Sequence, residues 1–314
     1  MFNLSGLYFV FYWHIRSLIK WVLRKTTKLC ELQRICYGKQ VGCPRSSAVE
    51  FSLFSSKSEH IKNMIKVLND SAANRQLGGR NQKLILERSV KTVIIVKKIN
   101  PDVHRQFVKS FTRCLEHIWG YKQLYAEVEE LRLTQYDSSC PEHEEKLQRL
   151  WTALCPETPL EARITKQWQD IGFQGDDPKT DFRGMGLLGL ENLLFFAEEY
   201  SNAAKHVLLH SLHPKYGYAF AIVGINLTSL AYHILKDGAA KTHIYNIAKS
   251  MPSMRVFHQF YCYLFYEFDR FWIEAKPQDV MQFSFIKDQF EESIRRLLEN
   301  PMTTFNINFV VNTV

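Results

Sequence analysis

Residues 187–200 read LLGLENLLFFAEEY. At about 100° per residue their Leu and Phe side chains point to nearly every side, the pattern of a helix buried all round. A half-buried strand would alternate, and this run does not. Around it the segments 103–134, 216–236, 253–275 and 277–299 are of helical length. The third carries Phe257, Phe260, Tyr261, Leu264, Phe265, Phe268, Phe271 and Trp272 at core spacing, and Pro277 ends it. Leu84 to Ile99 is dense in β-branched residues, but no partner strands appear elsewhere, so a helix is expected there too. No repeat of fixed period emerges. The expected class is all-α.

Composition agrees. Hydrophobic residues make up 46% and charged residues 23% of the 314, ordinary for a globular protein, and 14 Gly with 10 Pro are too few for a turn-dense β architecture. The net charge of +8 suggests nucleic acid until it is mapped. Residues 1–45 hold eight Lys or Arg against Glu31 alone, a balance of +7, which leaves +1 for the rest. A nucleic-acid domain needs a basic patch on its folded body, so that class is set aside. Seven Cys without a C-x-x-C suit a reducing, cytosolic compartment. The N-x-S/T matches at Asn3, Asn69 and Asn226 then count as chance.

The N-terminal run LSGLYFVFYWHI (4–15) is interrupted by Arg16 and Lys20, too short to span a bilayer, which takes about 20 apolar residues. Arg16, Lys20, Arg24 and Lys28 recur every four residues as one basic stripe, with Phe11, Ile15, Leu18, Val22 and Leu29 roughly opposite and Trp13 and Trp21 at the boundaries. This pattern predicts a helix lying in a membrane interface, its cations on anionic headgroups. A helix packed on the protein's own body is the plain alternative, and a mitochondrial presequence is another.

The expected organisation is a basic, membrane-associating segment (1–37), a linker and helical extension (38–100), a packing helix (101–137), the main domain (138–300) and a tail (301–314). Residues 38–60 read as linker and Ser71 to Gln82, with Gly78-Gly79, as a second break. Ser139-Cys140-Pro141 starts a helix with Pro in its first turn. Thr158-Pro159-Leu160-Glu161 has capping-box spacing and predicts a helix with Leu160, Ile164 and Trp168 inward.

One stretch looks like chemistry. WQDIGFQGDDPKTDFRGMGLLGL (168–190) holds five of the fourteen Gly, with Arg183 among them. Glycines let another surface approach the main chain. Thr180 and Asp181 are expected to cap the following helix, placing Arg183 in its first turn, where the dipole disfavours a cation. On spacing alone, Arg183 either serves a partner or neutralises Asp176, Asp177 or Asp181 to lock a loop. Neither a phosphate loop nor a dinucleotide fingerprint is present.

The same stretch resembles the signature of the ELMO domain-containing family, W-x-x-x-G-F-Q-G-x-x-P-x-T-D-F-R-G-x-G-x-x-x-L. It is met here by Trp168, Gly172, Phe173, Gln174, Gly175, Pro178, Thr180, Asp181, Phe182, Arg183, Gly184, Gly186 and Leu190. The likeness continues through 213–228, 258–272 and 30–36, most of the chain. It implies a GTPase-activating protein for Arf and Arf-like small GTPases, with Arg183 as the catalytic residue supplied in trans. It also implies no cofactor or metal of its own, since GTP and Mg²⁺ come with the partner; the expected cytoplasmic, membrane-peripheral location rests instead on the free thiols and the basic amphipathic N-terminus. Engulfment-and-motility scaffolds share the domain but lack this Arg, and the chain has no room for their armadillo and PH domains. A non-catalytic adaptor binding a GTP-loaded GTPase or an exchange factor is the competing class. Gly184 and Gly186 are expected to permit close approach, and Trp168 and Phe173 to anchor the loop in the core.

Other constellations are set aside. His206, His210 and His213 lack the Glu of H-E-x-x-H and read as exposed helix-end histidines. Cys140-x-x-His143 has no second pair, no G-x-S-x-G occurs, and Glu198 and Glu199 read as a solvated helix end.

Overall fold

The computed structural model describes residues 4–72 and 79–306, with side chains described from residue 15 except at positions 17, 79 and 80. Among the described residues there is no strand; all regular structure is helical. The chain divides into two compact units, residues up to Gly120 and residues from Tyr121 onward, the division falling inside one continuous helix. Phe11, Trp13, Asn3, Gly78 and the tail beyond residue 306 lie outside the described side chains or residues.

The first unit holds α1 (Leu4–Thr27), α2 (Glu31–Gly38), α3 (Cys43–Phe54), α4 (Glu59–Ala72), α5 (Gly79–Lys97) and the start of α6 (Arg105–Leu133). Its core is Leu32, Val49, Leu53, Ile61, Val93, Phe107, Phe111 and Leu115, all buried, with Phe107 stacked on Phe111 at 5.4 Å. The linker expected over 38–60 is corrected here. Its Gly, Pro and Ser content does not break the chain: Gly42, at φ 94°, sets the N-terminus of α3, Pro44 occupies the first turn, and Ser46 and Ser52 are buried with hydrogen-bond partners. The β-branched run is helical, as its lack of partner strands predicts.

The expected orientation of α1 is also corrected. Arg16 is buried and Lys20 half-buried. Both reach Glu31, at 3.2 and 2.6 Å, and Arg16 lies over the Phe51 ring at 4.4 Å. Burial opposes the Glu31 charge, yet Lys20, the Ser52 hydroxyl and Arg16 together keep its carboxyl below the usual value. Leu18, Trp21 and Val22 are therefore exposed, together with Arg24, Lys25 and Lys28.

The second unit carries the remainder of α6, α7 (Pro141–Leu154), α8 (Gly186–Glu199), α9 (Ser201–Ser211), α10 (Phe220–Lys236), α11 (Lys241–Ile247), α12 (Met254–Ala275) and α13 (Phe283–Glu299). Helix α8 is central and packs on α7, α10 and α12. Leu188, Leu190, Leu193 and Phe196 have no exposed surface, and the predicted α12 aromatics are buried except Phe271, which is half-buried against Phe290. Gly224 permits the close α8–α10–α12 approach, because a Cβ there would press on Leu193, Phe265 and Tyr261. Asn192 on α8 donates to Thr228 and accepts from His258, satisfying buried polar groups across three helices. The helix expected from Thr158 does not form. Residues 158–165 are irregular, Ile164 is exposed, and the capping oxygen belongs to Thr165, seven residues later.

Candidate functional site

Between α7 and α8 the chain makes two short 3-10 turns, Lys166–Ile171 and Pro178–Arg183. The first is capped by Thr165, whose hydroxyl accepts from the Gln167 amide, and it seats Trp168 with no exposed surface. The indole N–H donates to the Arg163 carbonyl at 3.0 Å. From there rings stack edge to face through the unit: Trp151 on Trp168 at 5.5 Å, Trp168 on Phe173 at 5.8 Å, Phe173 on Phe182 at 5.6 Å. Phe182 then lies flat against Tyr136 at 5.5 Å. Trp168 and Phe173 thus anchor the loop from inside, as expected. Gly172 reverses the chain at φ 84°, and a Cβ there would collide with the backbone of Ala219 and Phe220 at the start of α10.

The second turn is held at both ends. Asp177 caps it, its Oδ1 accepting from the Lys179 amide at 3.0 Å, and Pro178 is buried in its first position. Asp181 accepts from the Gln174 amide at 2.9 Å, closing the loop between the turns. Burial raises the Asp181 pKa, while that amide and the charge of Arg183 work in the opposite direction. Thr180 and Asp181 therefore do not cap α8, which starts after Met185 with no side-chain cap. Arg183 stands in the last turn of a 3-10 segment, not in the first turn of α8, so the expected conflict with the helix dipole does not arise.

Although Asp181 feels its charge, Arg183 forms no ion pair with the acids around it. It is exposed and makes no hydrogen bond or ion pair among the described residues. Every other arginine from position 121 on has a carboxylate: Arg132, Arg149, Arg163, Arg255, Arg270, Arg295 and Arg296 pair with Glu or Asp. Of the candidate acids, Asp177 is taken by Arg163 at 3.0 Å.

The two glycines beside Arg183 differ. Gly184 faces open space: a Cβ there would meet nothing within 4 Å. Gly186 is buried at φ 53°, where a Cβ would strike the carbonyls of Leu131, Arg132 and Thr134, while the Leu187 amide donates to Thr134 at 2.9 Å. Gly186 docks α8 onto the end of α6 and offers nothing to an approaching surface, which corrects its expected role. Gln174 is exposed, and Gly175 also has open space around it.

The histidines are better placed than their spacing implies. The His206 and His210 rings lie tilted against each other with centroids 4.1 Å apart, and His210 Nδ1 lies 2.7 Å from Asp269 Oδ2, a buried carboxylate brought in by α12. Tyr218 donates to the other Asp269 oxygen at 2.6 Å. His206, His210 and Asp269 hold one ligand atom each within 4.8 Å of one another. Both carboxylate oxygens already have hydrogen-bond partners, so the cluster acts as a tie between α9 and α12. His213 accepts from the Lys215 and Tyr216 amides and shapes the following turn.

Among its described residues the second unit is all-helical and carries Arg183 exposed at the end of a doubly anchored turn. Comparison with known proteins gives the family. The ELMO/CED-12 family profile matches residues 126–287. ELMO domain-containing protein 1 from Homo sapiens is 46% identical over 308 residues, covering 90% of this chain and 88% of that protein. ELMO domain-containing protein 2 from Homo sapiens is 46% identical over 289 residues, covering 92% and 94%. ELMO domain-containing protein B from Dictyostelium discoideum is 33% identical over 291 residues, covering 91% and 94%. The chain belongs to the ELMO domain-containing family.

Proposed function

We propose that the protein is a GTPase-activating protein for Arf or Arf-like small GTPases and that it supplies Arg183 in trans. Family membership supports a role with small GTPases; the Arf class and the arginine mechanism are this proposal's own. The observation that carries it is that Arg183, exposed beside an unobstructed Gly184, has no carboxylate at ion-pair distance among the described residues, in a unit that pairs every other arginine. GTP hydrolysis spreads negative charge over the phosphoryl oxygens in its transition state, and a guanidinium inserted there is worth about 10³–10⁵ in rate. Lys lacks the planar fork that meets two oxygens at once. Anchoring by Trp168, Phe173 and Phe182 means the turn need not be ordered when the partner arrives. GTP and Mg²⁺ belong to the partner, and the activator turns over no substrate of its own. The test is single-turnover GTP hydrolysis by a panel of Arf-family proteins with and without the full chain. Acceleration of at least one member is expected; acceleration of none would leave a non-catalytic adaptor.

We further propose a cytoplasmic, membrane-peripheral location through α1. No described helix is long and apolar enough to cross a membrane. The exposed Leu18, Trp21 and Val22, flanked by Arg24, Lys25 and Lys28, suit a bilayer interface with anionic headgroups. The clasp on Glu31 turns this apolar face outward. Flotation with phosphatidylserine vesicles should lose most of the bound protein when Leu18, Trp21 and Val22 are all changed to Ser. Undiminished binding would remove this assignment.

A further inference from the structure

Arg163 lies in the irregular segment between α7 and the first turn, outside the family signature. Its guanidinium spans two elements. Nε donates to Glu144 Oε2 on α7, and Nη1 donates to Asp177 Oδ1 at 3.0 Å. That same Asp177 oxygen accepts the Lys179 amide and so starts the turn that ends in Arg183. The other oxygen of Glu144 accepts from Tyr136 at 2.6 Å, and Tyr136 stacks on Phe182, the residue before Arg183. The Tyr136 ring also lies 5.8 Å from the guanidinium. One side chain therefore ties α7 to both ends of the turn, directly through Asp177 and through Glu144 and Tyr136 to Phe182. Burial opposes the Arg163 charge, yet Glu144 and Asp177 raise its pKa above the ordinary arginine value. A six-residue 3-10 segment has poor hydrogen-bond geometry and little stability of its own, so an external clamp matters more here than at a long helix.

We propose that Arg163 is a positioning residue: it clamps the 178–183 turn so that Arg183 is presented in one arrangement before the partner binds. This rests on the reading of Arg183 as the residue acting on the partner's GTP. Lys cannot replace Arg163, because a point charge cannot bridge two carboxylates held on separate elements in a fixed fork.

The test uses the full chain with Arg163→Gln and, should that variant fold poorly, Asp177→Asn. The second keeps an oxygen for the Lys179 amide and removes only the charge facing Arg163. Amide hydrogen exchange is followed over residues 174–186, alongside single-turnover GTP hydrolysis by the Arf-family protein that the parent stimulates best. The clamp predicts exchange at least about tenfold faster in this segment, with α8, α10 and α12 unchanged. The stimulated rate at saturation should fall about 10–100-fold, while the half-saturating concentration moves less than about threefold. Added to Arg183→Lys, the Arg163→Gln change should lower the rate no further, since it acts only through Arg183. Unchanged exchange in folded variants would overturn the clamp. Faster exchange with the parental rate would overturn positioning, and a full additional loss on the Arg183→Lys background would show that Arg163 acts independently. If Arg183→Lys alone leaves the rate intact, the reading of Arg183 has failed and the role of Arg163 in that chemistry falls with it, whatever the exchange shows.

Discussion

Replacing Trp168 with Ala removes the ring from which the rest of the loop is built. Trp168 has no exposed surface, with Trp151 and Phe173 meeting it edge to face at 5.5 and 5.8 Å. Truncating a buried Trp costs about 3–5 kcal/mol in lost transfer energy and residual cavity. The Arg163 carbonyl also loses the indole donor at 3.0 Å, adding about 1 kcal/mol. The total is about 4–6 kcal/mol. In a unit of this size each kcal/mol moves the melting point by about 2–4 °C, so the domain should melt about 8–24 °C lower. Thermal unfolding followed by circular dichroism reads this directly. Activity should disappear with stability, unlike the effect expected of an Arg183 change. A Trp168→Ala protein melting within about 3 °C of the parent would refute the claim that this ring anchors the loop.

The glycines flanking Arg183 should separate cleanly. Gly186→Ala meets carbonyls at a positive φ and should cost about 2–4 kcal/mol in chemical denaturation, whereas Gly184→Ala, in open space at φ −76°, should be neutral within about 0.5 kcal/mol; equal costs would mean the α6–α8 docking is misread. The second prediction concerns pH. Burial pushes the pKa of His243 and His258 down to about 4. The unfolded chain then takes up protons on both between pH 6.5 and 4 while the native state does not, so their contribution is full above about pH 6.5 and is lost as pH falls towards 4. From pH 7 to pH 5 each should remove about 2 kcal/mol of stability, partly offset by Asp269, whose pKa burial raises. Urea titrations of His258→Asn should show this histidine's share gone from the pH slope, and a variant with the parental slope would contradict the assignment.

Much of this architecture is written in local periodicity. The all-round apolarity of 187–200 and the aromatic spacing of 253–275 locate α8 and α12, because burial on every side leaves no freedom in the pattern. Short-range capping chemistry is less reliable. Thr158 and Glu161 have capping-box spacing, yet the chain must turn there to bring Arg163 between Glu144 and Asp177, and tertiary ion pairing overrides the local preference. Ser-rich 43–54 folds as a helix in which Ser46 and Ser52 are buried with partners contributed by α6 and α2. The motif arginine is legible in the sequence, but its lack of a partner is not. Only the structure shows Asp177 taken by Arg163, and Asp181 turned back on the Gln174 amide. The Asp269 tie to His210 was invisible for the same reason, since 59 residues separate the two side chains.

Single-turnover GTP hydrolysis by a responsive Arf-family protein, compared between the parent and Arg183→Lys, tests the central claim most directly. Arg183 is exposed and supports no described contact, so the variant should melt with the parent and bind the GTP-loaded partner comparably. The account predicts that its stimulation falls by about 10³ or more. A well-folded Arg183→Lys protein that accelerates hydrolysis within a few-fold of the parent would contradict it, and the turn would then be a docking element.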